Sequence, residues 1–477
     1  MQLIWFRRDL RTQDNTALHG AVSYARAHNE AVTAIFVATP DQWAGHDMAP
    51  IQADLIYRRL FALQKDLQGL HIELLYKETK NFEEAARHVA ATAERLQAGA
   101  LWFNREYALN EYRRDLLAEK LMTVQGRKAN ACHDTCLCPP GTVLNRQGTY
   151  YKVFTPFARA CNEQLQGLVP SLQPLEPVAK AELPLDIQGS ILSPEQPFSY
   201  PRLSSSAYHA GTKAIHKKLT DFCAGPMNAY DQKRDFPAVA GTSGLSPYLA
   251  IGALSARTCL SGLISAHRND PGCLGGAVWK NELLWRDFYH HLMFFIPGLS
   301  RQECFHAWGD RLWWDDNPER FAAWQAGKTG YPIVDAAMRQ LNQTGWMHNR
   351  LRMIVASFLT KDLHIDWHHG QAYFMRHLVD GDFAANNGGW QWSASTGCDA
   401  QPFFRIFNPV SQGKKFDPGG RFVRTWLPEL QQVPDRYVHC PWIWSGSREI
   451  AYPAPIVDHS QERLIALQRY SKESKRN

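Results

Sequence analysis

Short apolar runs alternate with longer amphipathic stretches in the first quarter of the chain, and this alternation constrains the fold most. The runs LIWF, AVTAIFVA, LLY and ALWF begin at residues 3, 31, 74 and 100. Helical periodicity separates them, most clearly at Ile51 to Leu67 and at Phe82 to Leu96. The pattern predicts an α/β domain with a doubly wound, mostly parallel sheet. No glycine-rich dinucleotide fingerprint follows the first strand, where the chain reads RRDLRTQDN.

The pattern changes after residue 130. Proline and glycine accumulate and periodicity fades as far as residue 203, which indicates an interdomain connector over 131–203. Residues 204–477 then read as helices, for example Tyr208 to Ala224, Gly276 to Phe295 and Val334 to Leu341. Of the 16 tryptophans, 13 fall between Trp279 and Trp444. We therefore expect an α/β domain over 1–130 and a large all-α domain with an aromatic interior over 204–477.

Composition narrows the class of protein. A net charge of +6 permits a polyanionic partner without requiring one. The ten cysteines are scattered, unlike a secreted disulfide framework, so we expect reduced thiols. No run approaches the ~20 apolar residues of a membrane span, which predicts a cytoplasmic protein. Cys132, His133, Cys136 and Cys138 match no standard zinc spacing, and we predict no metal site.

Two segments have the composition of a binding site. DGDFAANNGGWQW at 380–392 combines carboxylates, amides, glycines and indoles. It is either a turn with core tryptophans or a turn that wraps a planar polar ligand. GTSGLS at 241–246, ahead of the helix-like YLAIGAL, is either a plain helix cap or a place for a pyrophosphate near a helix N-terminus.

Two helical segments carry unusual mixtures of side chains. NELLWRDFYHH, which begins at Asn281, places polar and aromatic residues on one helical face at spacings of three and four. WMHNRLRM, which begins at Trp346, combines an amide, two arginines and a thioether. Amphipathic packing is the usual explanation for the first segment, and a ligand-binding face is the alternative. The second segment suits neither a hydrophobic core nor a solvated face.

Eight motifs in register across the whole chain resemble the photolyase/cryptochrome flavoproteins, and most closely the bacterial class I cyclobutane pyrimidine dimer photolyases. They are WFRRDLR, RDFP at Arg234, GTSGLS, NELLWRDFY, TGYPIVDAAMRQL at Thr329, TGWMHNRLRM, DGDFAANNGGWQW, and FRIFNPVSQGKKFD at Phe404. The resemblance implies light-dependent DNA repair by a carbon–carbon lyase. In that reaction photoexcited reduced FAD (FADH⁻) gives an electron to a flipped-out dimer, the ring opens and the electron returns.

The resemblance also implies a set of cofactor-binding residues. For FAD these are Tyr230, Thr242, Ser243, Gly244, Leu245, Ser246, Arg352, Asp380, Gly381, Asp382 and Asn386. Relatives often carry arginine at the position of Gly244, so we expect weaker phosphate binding here. His46, Asn110 and Glu111 match an antenna site for 5,10-methenyltetrahydrofolate, with Arg301 where a relative would have lysine.

Catalytic and DNA-binding roles follow from the same resemblance. Glu282 would stabilise the dimer, Asn386 would face flavin N5, and Trp390, Trp367 and Trp314 would relay electrons. A neutral amide at 386 favours repair over signalling, since it has no acidic proton to give. The DNA-binding candidates are Arg234, Glu282, Trp285, Arg286, Tyr289, Asn349, Arg350, Met353, Trp392 and Gln412, with Lys414 and Lys415 as further backbone contacts.

Two rival functions share much of this pattern. One is a blue-light sensor that uses the same fold and FAD, and the other is a DNA-binding protein that has lost its chemistry. A (6-4) photolyase is not expected, because histidines would stand where this chain has Asn349 and Met353. The expected partner is DNA that contains cyclobutane pyrimidine dimers, with no membrane, and the expected state is a monomer.

Overall fold

The computed structural model describes residues 1–166, 174–196, 198–266, 273–399 and 402–474. They form two compact units that interleave along the chain. Unit 1 comprises Met1–Gly225, Ser243–Ser300 and Val379–Asp382, and unit 2 comprises Pro226–Thr242, Arg301–Leu378 and Phe383–Asn477. The domain limits at residues 130 and 203 remain a prediction, because the compact units do not follow chain order.

Unit 1 contains the predicted parallel sheet, whose strand order is β3-β2-β1-β4-β5. Its central strands β1 and β2 are buried along their whole length, which explains their continuous apolar sequence. The elements of this region are β1 (Gln2–Phe6), α1 (Thr16–His28), β2 (Val32–Ala38), α2 (Pro40–Gly45), α3 (Pro50–Gln68), β3 (Glu73–Glu78), α4 (Phe82–Arg95), β4 (Ala100–Asn104), α5 (Leu109–Val124) and β5 (Lys128–Cys132). The sequence did not predict the edge strand β5, since KANAC lacks an apolar run.

Helices dominate the described chain after β5, as predicted. They are α6 (Phe154–Gln164), α7 (Leu185–Gln188), α8 (Thr212–Ala224), α9 (Tyr230–Lys233), α10 (Ser246–Ala250), α11 (Ala256–Ala266), α12 (Leu274–Phe295), α13 (Pro318–Gln325), α14 (Pro332–Thr344), α15 (Asn349–Lys361), α16 (Trp367–His377), α17 (Phe383–Ala394), α18 (Pro409–Phe416), α19 (Arg421–Trp426) and α20 (His459–Ser474). The predicted parallel α/β region and helical region are therefore both confirmed.

The helices differ from the sequence prediction in several places. Helix α8 begins at Thr212 and not at Tyr208, because Arg58 binds the carbonyl oxygen of Tyr208 at 3.1 Å outside the helix. Helix α14 extends from Pro332 to Thr344, beyond the predicted 334–341. Helix α6 lies within the predicted connector, where prolines and glycines on either side mask its short amphipathic pattern.

The hydrophobic core of unit 2 is rich in aromatic side chains. Trp324 is completely buried, and its indole N–H donates to the backbone oxygen of Val355 at 3.1 Å. Its ring lies 6.2 Å from Trp390 and 6.3 Å from Phe374. Buried aromatic rings contribute large apolar area and favour edge-to-face contacts, so these residues pack α13, α16 and α17 together in the core of unit 2.

The TGYPIVDAAMRQL motif has a structural role. Asp335 accepts hydrogen bonds from the backbone of Thr329 at 2.7 Å and of Gly330 at 3.0 Å. Tyr452 donates its hydroxyl to the same carboxylate at 2.5 Å. Gly330 has a φ of 81°, and a Cβ there would lie 2.4 Å from the oxygen of Ala454, so only glycine fits.

All ten cysteines are free thiols, and eight of them are buried. The predicted absence of disulfides therefore agrees with the structure. Among the helices described here, none is both long and apolar enough to cross a membrane.

Candidate active site

The residues assigned to FAD fall in both units. In unit 1 the turn Val379–Asp382 is held by side chains from the sheet region. Gln52 donates its amide to the carbonyl oxygens of Val379 at 3.1 Å and Gly381 at 2.9 Å. Arg8 also contacts the Gly381 carbonyl oxygen, at 3.4 Å. These contacts fix the backbone of the turn, and with it the positions of Asp380 and Asp382.

The carboxylates of this turn differ in their surroundings. Asp380 is buried, whereas Asp382 is half-buried. Asp382 lies 3.2 Å from the Nε2 atom of His290 on α12. His290 was missed in the sequence analysis, although it follows directly after the singled-out Tyr289. His290 and Asp382 together offer a ligand one hydrogen-bond donor and several acceptors. Such a set suits a ligand that has ring N–H groups and sugar hydroxyls.

The remainder of the 380–392 segment is a helix and not the turn that the sequence suggested. Helix α17 begins at Phe383 and includes both asparagines and both glycines of NNGG. Glycine pairs normally weaken a helix, but here tertiary contacts outweigh local propensity. Asn387 is buried and accepts a hydrogen bond from Gln391 at 3.0 Å, which ties successive turns together.

Helix α17 presents two different faces. Trp390 and Gln391 are buried in unit 2, and a Cβ on Gly370 would lie 2.1 Å from the Trp390 ring. Asn386 and Trp392 remain partly accessible. Beside them, a Cβ built on Gly389 would meet no protein atom within 4 Å. This bare helix face next to an amide leaves room for a flat ligand, so the residues present fit a flavin.

Asn386 is fixed by the neighbouring helix α16. Its side-chain Nδ2 donates to the backbone oxygen of Gln371 at 3.0 Å. Because a carbonyl oxygen can only accept, the contact defines which end of the amide is nitrogen. The side-chain oxygen of Asn386 is therefore the end that can accept a hydrogen bond from a ligand.

The three predicted relay tryptophans lie in unit 2 at different depths. Trp390 and Trp367 are buried, and Trp314 is half-buried against the same hydrophobic core. The Trp390 indole N–H reaches no hydrogen-bond acceptor in the described part of the chain. Its ring is surrounded by aromatic side chains, including Phe374 at 5.0 Å. Two buried indoles and one partly accessible indole suit electron transfer between an interior site and solvent.

The division of the chain into two units falls within the GTSGLS loop, between Thr242 and Ser243. In unit 2, Thr242 is half-buried, and Tyr230 is buried beneath the guanidinium of Arg234 at 5.5 Å. In unit 1, the Ser243 hydroxyl accepts from the backbone N–H of Leu245 at 3.4 Å, and Ser246 is exposed. Helix α10 has five residues, shorter than the predicted YLAIGAL helix, because Gly252 turns with a φ of 66° against the backbone of Arg8.

Helix α12 carries four of the predicted substrate-binding residues on one partly accessible face. The indole of Trp285 stacks on Phe154 of α6 at 3.8 Å, and Tyr289 lies 5.7 Å from that indole. Glu282 is half-buried one turn earlier. Arg286 instead donates to the backbone oxygen of Thr135 at 2.7 Å, so its guanidinium also supports the loop after β5.

The first turn of α15 presents three of the assigned side chains together. Asn349 is exposed, and Arg352 and Met353 are half-buried at spacings of three and four from it. Arg352 donates its Nε to the backbone oxygen of Met347 at 2.8 Å. The unusual mixture in WMHNRLRM therefore forms one accessible patch, as expected for a ligand-binding face.

Several cations assigned to the DNA backbone meet around Phe416 of α18. The guanidinium of Arg350 lies 4.5 Å above this ring, and the ammonium of Lys415 lies 5.1 Å from its centre. Arg350 also pairs with Asp235 at 2.8 Å, and Arg234 lies 3.9 Å from the same carboxylate. Gln412 lies one turn before Phe416 and is half-buried, while Lys414 is exposed. We call Arg234, Arg350, Lys414 and Lys415 the cationic cluster.

The three residues assigned to the antenna lie together in unit 1. The Nε2 atom of His46 is 3.0 Å from the Asn110 amide and 2.9 Å from the Gln42 amide. The Nδ1 atom of His46 is 3.5 Å from Glu111. His46 and the Asn110–Glu111 pair, far apart in the sequence, are thus joined at one partly accessible site. Arg301 belongs to unit 2, where it is exposed 4.0 Å from Glu303.

Comparison with known proteins identifies the family. Residues 2–179 match the family model described as DNA photolyase, and residues 279–472 match the FAD binding domain of DNA photolyase. The deoxyribodipyrimidine photo-lyase of Vibrio cholerae is 53% identical over 98% of this chain and 99% of its own length. That of Escherichia coli K12 is 46% identical over 98% of both chains.

Solved structures with the same fold include a photolyase and a cryptochrome. A bacterial class III photolyase from Agrobacterium tumefaciens has a TM-score of 0.85 and 32% identity, covering 99% of this chain and 97% of that one. A Synechocystis cryptochrome has a TM-score of 0.83 and 28% identity, covering 98% and 99%. The fold is common to both groups, whereas the high sequence identity is with the repair enzymes. The chain therefore belongs to the DNA photolyase family, the FAD-containing lyases that repair DNA with light.

Proposed function

We propose that this photolyase splits cyclobutane pyrimidine dimers with the residues assigned above. Bound FAD in its reduced form supplies the light-driven electron and takes it back, so the reaction has no net redox change. The observation that carries the assignment is the accessible face of α17. There the fixed amide of Asn386 lies beside the open space at Gly389. This supports a flavin ring held against α17.

Asn386 keeps the reduced flavin in its active state in this proposal. With its Nδ2 donated to Gln371, the amide oxygen is left to accept a hydrogen bond from the reduced ring. A neutral amide adds no charge and gives no proton to the ring. Asp380, Asp382 and Arg352 would bind the polar edge and sugar hydroxyls, while Tyr230 and residues 242–246 would hold the ribityl and phosphate groups.

Glu282 and its aromatic neighbours receive the dimer. Stacking on Phe154 fixes the indole of Trp285, which would pack against the dimer. The resemblance assigns Trp392 to the same dimer. A dimer is already poorly stacked, so extruding it costs less than extruding a normal base. In its protonated form Glu282 would donate a hydrogen bond to a pyrimidine carbonyl oxygen and stabilise the negative charge that develops there, which contributes about 3 kcal/mol in a dry site. Asn349 and Met353 would contact the same dimer.

The cationic cluster and Gln412 bind the DNA backbone. Contacts of this kind depend on salt and read no base sequence, which suits an enzyme whose target occurs in any sequence. Arg286 and Tyr289 would add contacts from α12. Since Arg234 and Arg350 share Asp235, part of their charge is already neutralised, and the lysines carry the larger share.

The finer assignments rest on geometry within each unit. The grouping of His46, Asn110 and Glu111 supports a folate antenna, 5,10-methenyltetrahydrofolate, at that site.

Free cysteines support a reducing compartment, and we place the enzyme in the cytoplasm as a monomer. For domain limits we retain an antenna-binding region over 1–130, a connector over 131–203 and a catalytic region over 204–477.

Substitution of Glu282 tests the catalytic assignment directly. We expect Glu282→Ala to retain the yellow flavin while the repair yield per photon absorbed by the DNA-bound enzyme falls. Glu282→Gln should recover part of the yield, because its amide can still hydrogen-bond a pyrimidine. An Ala variant with the wild-type yield would remove Glu282 from the mechanism.

A further inference from the structure

Lys218 is a half-buried cation on α8. Within the described part of the chain, its ammonium makes no hydrogen bond or ion pair. The preceding Lys217 differs, since it donates to both carboxylate oxygens of Asp221 at 2.7 and 2.8 Å. Lys218 therefore holds its charge available for a ligand, whereas the charge of Lys217 is already balanced.

The end of the Lys218 side chain lies against the GTSGLS loop. A Cβ built on Gly244 would be 3.1 Å from Cε and 3.2 Å from Nζ of Lys218. Gly244 has a φ of 58°, where an L side chain is disfavoured. The missing side chain at Gly244 is thus what leaves room for the lysine. Gly244 itself carries no positive charge, but the ammonium of Lys218 lies beside it.

The base of Lys218 is held by packing of α8 against α11. A Cβ on Gly262 of α11 would lie 3.4 Å from both Leu219 and Cys223, so the two helices are in close contact. Leu219 and Cys223 are both buried. Because the helix is fixed, the long side chain of Lys218 starts from a defined point and loses less freedom when its ammonium binds an anion.

We propose that Lys218 binds the diphosphate of FAD and supplies the positive charge that Gly244 does not. Hydroxyl groups of Ser243 and Ser246 lie in the same loop, so the site offers neutral donors together with one ammonium. A charge-assisted hydrogen bond to phosphate is about twice as strong as a neutral one. The inference rests on the proposed function, which places the FAD phosphates at residues 242–246.

The test compares release of FAD from the holoenzyme of four proteins on dilution, followed by flavin fluorescence. These are the wild type, Lys218→Met, Lys218→Arg and the control Lys217→Met. We expect Lys218→Met to raise the Kd for FAD about tenfold, the effect of one charge-assisted contact, and to weaken its dependence on salt. Lys218→Arg and Lys217→Met should match the wild type.

Two results would overturn the inference. One is a Lys218→Met protein that releases FAD like the wild type, and the other is equal loss of affinity in the Met and Arg variants, since charge would then not be the cause. Thermal unfolding of the flavin-free proteins checks that each variant folds. A wild-type protein that carries no flavin would instead contradict the proposed function itself.

Discussion

The side-chain Nδ2 of Asn386 lies 3.0 Å from the backbone oxygen of Gln371 and donates to it. A carboxylate cannot make this contact, because both groups would be acceptors. We therefore predict that Asn386→Asp retains FAD but that its photoreduction stops before the fully reduced flavin, with loss of repair. Absorption spectra during blue illumination with a reductant would measure this. The neutral Asn386→Ser should still reach full reduction, and equal failure of both variants would show that charge is not the cause.

Substitution of Trp390 should abolish photoreduction of the flavin and leave dimer repair intact. Its ring is buried beside Gly370, while its indole makes no hydrogen bond in the described chain, so Phe can replace it without leaving a polar group unsatisfied. We expect Trp390→Phe to lose photoreduction of oxidised flavin yet to repair dimers once reduced chemically. Trp324→Phe is the control, since Trp324 is also buried and lies 6.2 Å from Trp390. Equal photoreduction in the two variants would exclude Trp390 from the relay.

Lys415 tests the cationic cluster. Its ammonium contacts the ring of Phe416 at 5.1 Å, so its removal leaves no buried charge behind. We predict that Lys415→Ala weakens binding to dimer-containing DNA of any sequence and lowers the slope of log K against log salt by about 0.9. Fluorescence anisotropy at several salt concentrations measures the slope. Lys217→Met is the matched control, and an unchanged slope in Lys415→Ala would remove this lysine from the interface.

Asp287 on α12 should make stability depend on pH. Burial raises the pKa of its carboxyl to about 6, and one oxygen accepts from the backbone N–H of Cys138 at 3.0 Å. Between pH values of about 4 and 6 the folded chain then binds more protons than the unfolded one, so the contribution to stability falls as pH rises. We expect Asp287→Asn to gain stability over the wild type across this range, by at most about 3 kcal/mol. A pH-independent difference in Tm between the two proteins would contradict this.

Much of the fold could be predicted from hydrophobic pattern. Buried parallel strands such as β1 and β2 are apolar throughout, and long helices such as α12 keep their periodicity. The edge strand β5 was missed because its residues are half-buried or exposed and its sequence KANAC lacks an apolar run. Helix α6 was missed because it is short. Contacts with α12, among them the stacking of Phe154 on Trp285, stabilise it, and the sequence does not show such contacts.

The site was harder to predict than the fold, since its geometry depends on distant residues. NNGG has the composition of a turn, yet contacts between Asn387 and Gln391 and around Trp390 make it helical. No local signal linked Gln371 to Asn386, or Lys218 to Gly244. His290 could have been found from its position on α12, because the residues already assigned there share its helix.

Light-dependent loss of dimers is the measurement that tests the central claim most directly. Purified holoenzyme is incubated with dimer-containing DNA under blue light and in darkness, and the remaining dimers are counted. We predict that dimers disappear in the illuminated sample alone, with both pyrimidines recovered intact. Equal loss in the two samples, or no loss in either, would contradict the assignment of this site to light-driven repair.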